Sequence, residues 1–376
     1  MTKPFRYVLL KIASRCNINC SYCYWFRDKE VYRKPKLMEP LVIEAFLKKL
    51  ELHILKYNLK VFNIIFHGGE PLLFGKQRLF NLCNDLFALQ HRCECEIRLS
   101  ITTNGILIDE DYCTIIKHFD INVTISLDGD QKTNDENRID FRGNGTYAKV
   151  IEKFPLLNKY EIPFNILSVC NPKVDPKRVV HHFTKDLKIE NFDLLFPDIT
   201  HEDVYVSIAD YYIKLFDMWY ADGKNKSFNI RIFHTIISGL LGFPSLTEGF
   251  GLDPITTISI NTDGQMEQLD VMNIIPCKSR SKTSILNSEL QDFVNDNAFQ
   301  ETYNNSTNLA LECLKCEFIN SCGGGYLPHR WSEKNSFNNV SVYCKDIKKI
   351  FSYIGERISP EIIIKTETGN LQLSSI

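Results

Sequence analysis

Short runs of β-branched and aromatic residues alternate along the chain with longer stretches whose apolar positions recur every three or four residues. The first kind predicts strands at 5–12, 61–66, 97–102, 123–127, 164–169 and 192–196. The second kind predicts helices at 40–55, 76–88, 110–118, 147–157, 176–187 and 204–221. The strands are apolar throughout rather than alternately, which suits a parallel sheet covered on both faces. Six repeats of strand then helix therefore predict right-handed crossovers and an α/β fold, a partial TIM-like (β/α)6 barrel over residues 5–235. After Phe233 the pattern breaks: Gly239, Gly242, Pro244, Gly249 and Gly251 crowd a linker expected at 236–254. A hairpin is expected from 255–260 and 265–269, because Asp263-Gly264 accommodates the positive φ of a tight turn. Residues 255–350 are expected to form a small, cysteine-rich α+β domain, and 351–376 a polar tail that frays.

Charge narrows the class. Among 376 residues, 44 Lys and Arg face 46 Asp and Glu, so no basic balance marks a nucleic-acid binder. The apolar runs are too short to span a bilayer, and the N-terminus lacks the apolar core of a signal peptide. A cytoplasmic protein with neither nucleic acid nor membrane as partner is expected. Thirteen cysteines in a chain of this size do not suit a short secreted disulfide scaffold and point instead to metal or redox chemistry.

Seven of the thirteen fall into two groups. Cys16, Cys20 and Cys23 sit in the loop after the first strand. Three thiolates within eight residues reach three corners of an iron–sulfur cube and leave the fourth iron open, whereas a structural zinc site wants four protein ligands. The spacing Cys-x3-Cys-x2-Cys, with Tyr22 before the last cysteine, resembles the signature of radical S-adenosylmethionine (radical SAM) enzymes. That resemblance implies a 4Fe–4S cluster whose open iron binds S-adenosylmethionine, cleaved reductively to methionine and a 5′-deoxyadenosyl radical. His67-Gly68-Gly69-Glu70-Pro71 resembles the family's Gly-Gly-Glu-Pro, implying that Gly68 and Gly69 admit the cofactor and that Glu70 accepts from its ammonium group. By the same resemblance Asn104 and Ser126 end strands beside the cofactor, Arg138 meets its carboxylate, and Leu195 covers the adenine. Apart from Arg138 these positions close strands, where a βα barrel places its active site.

The second group, Cys313, Cys316, Cys322 and Cys344, fits either zinc or a fully ligated 4Fe–4S centre. The run Cys322-Gly323-Gly324-Gly325-Tyr326-Leu327-Pro328-His329-Arg330 resembles the SPASM extension of peptide-modifying radical SAM enzymes. A full extension holds two auxiliary clusters. Here Tyr326 stands where a further cysteine is expected, and the hairpin offers Gln268, Leu269 and Asp270 instead of a thiol, so one auxiliary 4Fe–4S cluster is expected. Cys277 is the spare thiol nearby. The hairpin, the Gly-Gly-Gly-Tyr-Leu-Pro-His-Arg run and Ser341-Val342-Tyr343-Cys344 resemble FxsB-type maturases, which include cyclophane-forming enzymes of ribosomal peptides.

That resemblance implies a crosslink between an aromatic ring carbon and a β-carbon of a precursor peptide. The alternatives are thioether formation, epimerisation and sulfatase formylglycine maturation. Such chemistry needs a base, for which Asp270 and Glu267 are candidates by location, and Tyr326 is a candidate at the substrate. It also needs a flavodoxin- or ferredoxin-like electron donor. Fifteen residues before Cys16 leave no room for a leader-binding module, so a separate leader-recognition protein or an exposed sheet edge is expected to serve.

Overall fold

The computed structural model describes residues 3–222, 227–245, 247–276 and 278–367. The chain folds as two compact units, and they do not divide it at 235. The first comprises Met1–Leu127, Gln131–Leu167 and Ile255–Asn304; the second comprises Asp128–Asp130, Ser168–Pro254 and Asn305–Ile376.

The expected alternation is present. In the first unit β1 (Tyr7–Ala13), β2 (Val61–Gly68), β3 (Glu96–Thr103), β4 (Asn122–Ser126) and the start of β5 (Phe164–Val169) pair in sequence order, all parallel. The crossovers are helical. α1 (Pro40–Tyr57) starts on a proline, which gives up no hydrogen bond at that position, and stops at Asn58 in the left-handed region. Its Val42, Phe46, Leu50 and Ile54 recur every fourth residue and are buried on one face. α2 (Lys76–Cys93) buries Leu79, Leu82, Cys83, Leu86 and Leu89 in the same way. α3 (Glu110–His118) is capped by Asp109, whose carboxylate accepts from Tyr112 N–H at 3.1 Å. α4 (Gln131–Asp135), α5 (Tyr147–Ile151) and α6 (Phe154–Lys159) complete this unit's helices before β5; the helix expected at 147–157 is broken, with Pro155 opening its second part.

The hairpin belongs to this first unit rather than to a separate domain. Its strands are short, β8 (Ser259–Ile260) and β9 (Met266–Glu267), and β8 lies parallel to β1 with Leu9 opposite Ser259. With that pairing the first unit takes in Ile255–Asn304, so the expected boundary at 255 moves to about 304.

The second unit contains the end of β5, β6 (Asn191–Leu195), α7 (Pro176–His181), α8 (Ala209–Asp222), β7 (Asn229–Ile230) and α9 (Arg231–Leu240). Cys170 N–H, just beyond β5, donates to the carbonyl of Leu195 at 2.9 Å. α8 begins at Ala209 rather than 204 because Asp346 accepts there from Ser207 Oγ and from the N–H groups of Ile208 (3.2 Å) and Ala209 (3.1 Å). α9 runs into the expected linker. The expected frayed tail is corrected as far as it is described: Cys344–Glu367 is one helix, whose Ile347, Ile350, Phe351, Ile354 and Ile358 form a buried stripe. No helix among the described residues is long and apolar enough to cross a membrane.

Candidate active site

The first cysteine loop leaves β1 where a register shift between Lys11 and Ala13 turns the chain outward. Backbone bonds then fasten the loop to two neighbouring segments. Gly69 N–H donates to Ala13 at 2.9 Å and Glu70 N–H to Arg15 at 2.8 Å; Asn19 N–H donates to Ile139 and Ser21 N–H to Asn137. Arg15 pins the segment that follows, donating to the carbonyls of Val31, Tyr32 and Lys34. Gly69 is required by proximity: a Cβ there would lie 2.4 Å from the carbonyl oxygen of Arg15.

Cys16, Cys20 and Cys23 are all half-buried free thiols. Burial pushes the Cys16 thiol up to about 12, reinforced by the charges of Glu70, Cys20 and Cys23. Burial raises Cys23 as well, against the lowering pull of Arg138 and Lys11. Three mutually repelling thiols on one loop, outside any disulfide, are a donor set that a cationic iron cluster stabilises as thiolates. The residues present therefore fit a cluster with one iron left open.

The expected cofactor residues gather around this loop in part. Asn104 Nδ2 lies 3.7 Å from the sulfur of Cys16 and 2.7 Å from Asn17 Oδ1. Glu70 is fully buried and its carboxylate joins two loops: Oε1 accepts from Leu72 N–H (2.9 Å) and Thr103 Oγ1 (2.7 Å), and Oε2 from Asn104 N–H (2.8 Å). Burial raises its carboxyl above the usual range, and these donors oppose the rise. Arg138 Nη1 donates to the phenol oxygen of Tyr22 at 2.9 Å, placing the guanidinium beside the third cysteine. Gly68 closes β2, and Ser126 closes β4, half-buried. Leu195 closes β6 in the second unit.

Asp270 is not a surface carboxylate of the hairpin. It is buried and paired with the fully buried ammonium of Lys11, and its Oδ2 also accepts from the phenol of Tyr24 at 2.7 Å. Tyr24 directly follows Cys23, so Asp270 is tied to the cysteine loop. Lys11 also bonds His67 Nδ1 at 3.1 Å and stands 4.8 Å from the centre of the Trp25 ring. Although burial opposes ionisation, Lys11, His67 and Tyr24 together hold Asp270 down at about 2. Burial and the Lys11 charge push His67 down to about 3, so it is a neutral imidazole. Sequence reasoning passed over Lys11, His67 and Tyr24 as functional residues. A lone lysine in the apolar run Val8-Leu9-Leu10-Lys11-Ile12-Ala13 was the available signal. Glu267 is drawn elsewhere, 3.6 Å from Lys34.

The second cysteine group is gathered within the second unit. Cys313, Cys316, Cys322 and Cys344 line one cavity with Phe318, Ile319 and Ile347, enclosing about 430 Å3 that is partly open to solvent. Burial raises Cys313 and Cys344, and brings Cys322 to about 12; the neighbouring thiols add to each rise. All four thiols line this one space, a donor set that fits a fully ligated iron–sulfur cluster. Cys344 opens the C-terminal helix, whose partial positive charge favours a thiolate. Gly323 has φ 60°, and a Cβ on it would meet the Gly251 carbonyl oxygen at 1.7 Å. Under this loop the buried Arg330 donates to the carbonyls of Asn305 (2.9 Å), Asn308 (2.6 Å), Phe337 (3.0 Å) and Asn339 (3.3 Å). Tyr326 packs its ring edge-on to His329, 5.3 Å between centroids. Cys277 lies outside the described residues.

Two thiol sets of this kind, one with three donors beside a Gly-Gly-Glu loop at the ends of parallel strands, define a class. The profile of the Radical SAM superfamily matches residues 10–185, the segment that carries the first cysteine loop and the Gly-Gly-Glu strand end. S-adenosylmethionine and 4Fe–4S clusters are the cofactors that this match and the two thiol sets fit. Its relatives are more specific. The "Cysteine-type anaerobic sulfatase-maturating enzyme" of Clostridium perfringens strain 13 is 26% identical over 368 residues, spanning 94% of this chain and 97% of that one. The solved structure "Native anSMEcpe with bound AdoMet" superposes with a TM-score of 0.82 at 25% identity, covering 94% of this chain and 98% of the other. "Native anSMEcpe with bound AdoMet and Kp18Cys peptide" superposes with a TM-score of 0.81 at 26% identity, covering 94% and 98%. These relatives are named for sulfatase maturation, so they give no support to the crosslinking maturases that the sequence motifs resembled.

Proposed function

We propose that the chain oxidises a side chain of a bound peptide, converting a Cys or Ser of a sulfatase-type sequence to formylglycine. The observation that carries this reading is likeness over 94% of this chain to a sulfatase-maturating enzyme, together with the solved structure of anSMEcpe with the Kp18Cys peptide. When bound, the first cluster and S-adenosylmethionine supply the 5′-deoxyadenosyl radical that takes a hydrogen atom, and the second cluster supplies an electron acceptor. The protein's own part is to hold the substrate carbon, exclude water and take the proton. Loss of a hydrogen atom, an electron and a proton turns a Cys side chain into a thioaldehyde, which water converts to the aldehyde with release of hydrogen sulfide.

Asp270 is the group for the proton: ionised, buried, and fixed beside the residue that follows Cys23. Glu70, Asn104, Arg138, Tyr22 and Ser126 are read as the cofactor's polar surround. Glu70 acts largely by joining the loops after β2 and β3, with Oε2 keeping one acceptor position. A single auxiliary cluster on Cys313, Cys316, Cys322 and Cys344 completes the set. A small electron-transfer protein is read as the reductant.

One feature favours the crosslinking alternative. The hairpin has Gln268, Leu269 and Asp270 where a full SPASM extension has a thiol, the departure that it shares with the FxsB-type resemblance. The test is anaerobic turnover of reconstituted protein with Cys-, Ser- and aromatic-containing peptides. Formylglycine is expected, read as a hydrazide-reactive aldehyde with sulfur exchanged for oxygen in the Cys peptide. Loss of two hydrogens from an aromatic peptide, with no aldehyde, would replace this reading by crosslinking.

A further inference from the structure

We propose that Lys11 is a positioning residue for the proton step: with Tyr24, its ammonium anchors Oδ2 of Asp270 and leaves Oδ1 turned toward the reacting side chain. This rests on the reading of Asp270 as the proton acceptor.

The ammonium is fully committed. Of its three N–H groups one meets Asp270 Oδ2, a second meets His67 Nδ1 at 3.1 Å, and the third side faces the Trp25 ring. Lys11 and His67 occupy paired positions on β1 and β2, so the contact is set by strand register. A buried ammonium is costly unless paired, and an apolar residue would pack into a strand interior without that cost. Its retention at a fully buried site calls for a role. Oδ2 of Asp270 is occupied twice, by Lys11 and by Tyr24, whereas no hydrogen bond is recorded to Oδ1 among the described residues.

The charged and titratable groups facing Asp270 come from three segments: Lys11 on β1, His67 on β2, and Tyr24 after the cysteine loop. Of these three, Lys11 is the cation, because burial and the Lys11 charge hold His67 down. Removing the ammonium leaves burial as the dominant influence on Asp270, and burial favours the protonated acid. A carboxylate held by a cation is a weak base. That suffices once loss of a hydrogen atom has made the substrate's remaining proton acidic.

The test uses reconstituted holoprotein carrying Lys11→Met, Lys11→Arg, Asp270→Asn or the Lys11→Met/Asp270→Asn pair. The infrared band of a protonated carboxyl, assigned by its absence in Asp270→Asn, is followed against pH. Product formed per 5′-deoxyadenosine is measured over the same range. In Lys11→Met the band is expected to persist to a pH at least about one unit higher than in the parent, with product per 5′-deoxyadenosine falling about tenfold or more on the acid side. Lys11→Arg is expected to return the band to the parental range. A Lys11→Met protein with parental titration and product ratio overturns the proposal. Should Lys11→Met fail to fold, recovery of folding in the double variant supports the pairing, and a carboxyl band in Lys11→Arg at raised pH overturns it. Normal product from Asp270→Asn defeats the reading of Asp270 instead, and the infrared shift separates the two failures.

Discussion

Gly69→Ala adds one methyl group where three backbone atoms already stand. Its Cβ would lie 2.4 Å from the carbonyl oxygen of Arg15, 2.5 Å from the carbonyl carbon and 3.0 Å from the nitrogen of Cys16. Unstrained carbon contacts need about 3.5 Å, so the two loops must separate by about 1 Å. No side chain can rotate out of the way. Gly69 is outside the left-handed region, so the substitution tests packing alone. Separation also stretches the bonds from Gly69 N–H to Ala13 and from Glu70 N–H to Arg15. Overpacking costs about 1–3 kcal/mol and each lost hydrogen bond about 1 kcal/mol, so a total near 3 kcal/mol is expected. The atoms displaced are those that carry Cys16. Iron and sulfide after anaerobic reconstitution should fall to about half, from two clusters to one, because the second unit's thiols are untouched. The melting midpoint should drop by about 6 °C or more. Parental iron content, S-adenosylmethionine cleavage and melting in Gly69→Ala would refute the claim that this contact sets the position of the cysteine loop.

Cys344→Ala should remove about four irons per chain and leave the first cluster, as read by iron assay and by retained S-adenosylmethionine cleavage. Arg330→Met leaves four backbone carbonyls without their donor; about 3 kcal/mol or more of stability should be lost in chemical denaturation, and Arg330→Lys should recover little, since an ammonium cannot reproduce the guanidinium fork. Burial holds His67 and His329 down at about 3 and lowers His53 also. The unfolded chain binds protons at these groups below about pH 6.5 while the folded chain does not, so their stabilising contribution is complete above that pH and is lost progressively as pH falls toward 3. Melting midpoints should fall between about pH 7 and pH 5, and His329→Gln should flatten that slope.

The parts of this molecule legible in the sequence are those whose chemistry is local. Three cluster ligands within eight residues form a local pattern, so Cys16, Cys20 and Cys23 announce themselves, and the apolar strands do so because both their faces are covered. Asp270 and Lys11 are 259 positions apart, and no window of sequence shows that a hairpin carboxylate and a strand ammonium will meet. The hairpin's turn was readable, but its allegiance to β1 was not, because two-residue strands carry little pattern. The C-terminal helix was the opposite case. Ile347, Ile350, Phe351, Ile354 and Ile358 carry the helical period plainly, and the polar residues around them obscured it.

Formylglycine formation and carbon–carbon crosslinking share their first demands: a hydrogen atom removed, then an electron and a proton. The arrangement around Asp270 serves both, since one oxygen is held by Lys11 and Tyr24 and the carboxylate stays ionised through the neutral range. What separates the two reactions is the fate of the carbon after hydrogen loss, and that depends on which side chain the site holds there. With a Cys sulfur on the reacting carbon, loss of the electron and proton gives the thioaldehyde and water then replaces the sulfur; an aromatic ring in reach competes as an acceptor of the new bond. Substitutions at Lys11 and Asp270 therefore lower the yield of either product without changing its identity, whereas exchanging Cys for an aromatic residue in the peptide changes identity and leaves the proton step intact. A protein that forms aldehyde from the Cys peptide and still loses product per 5′-deoxyadenosine in Asp270→Asn satisfies both halves of this reasoning.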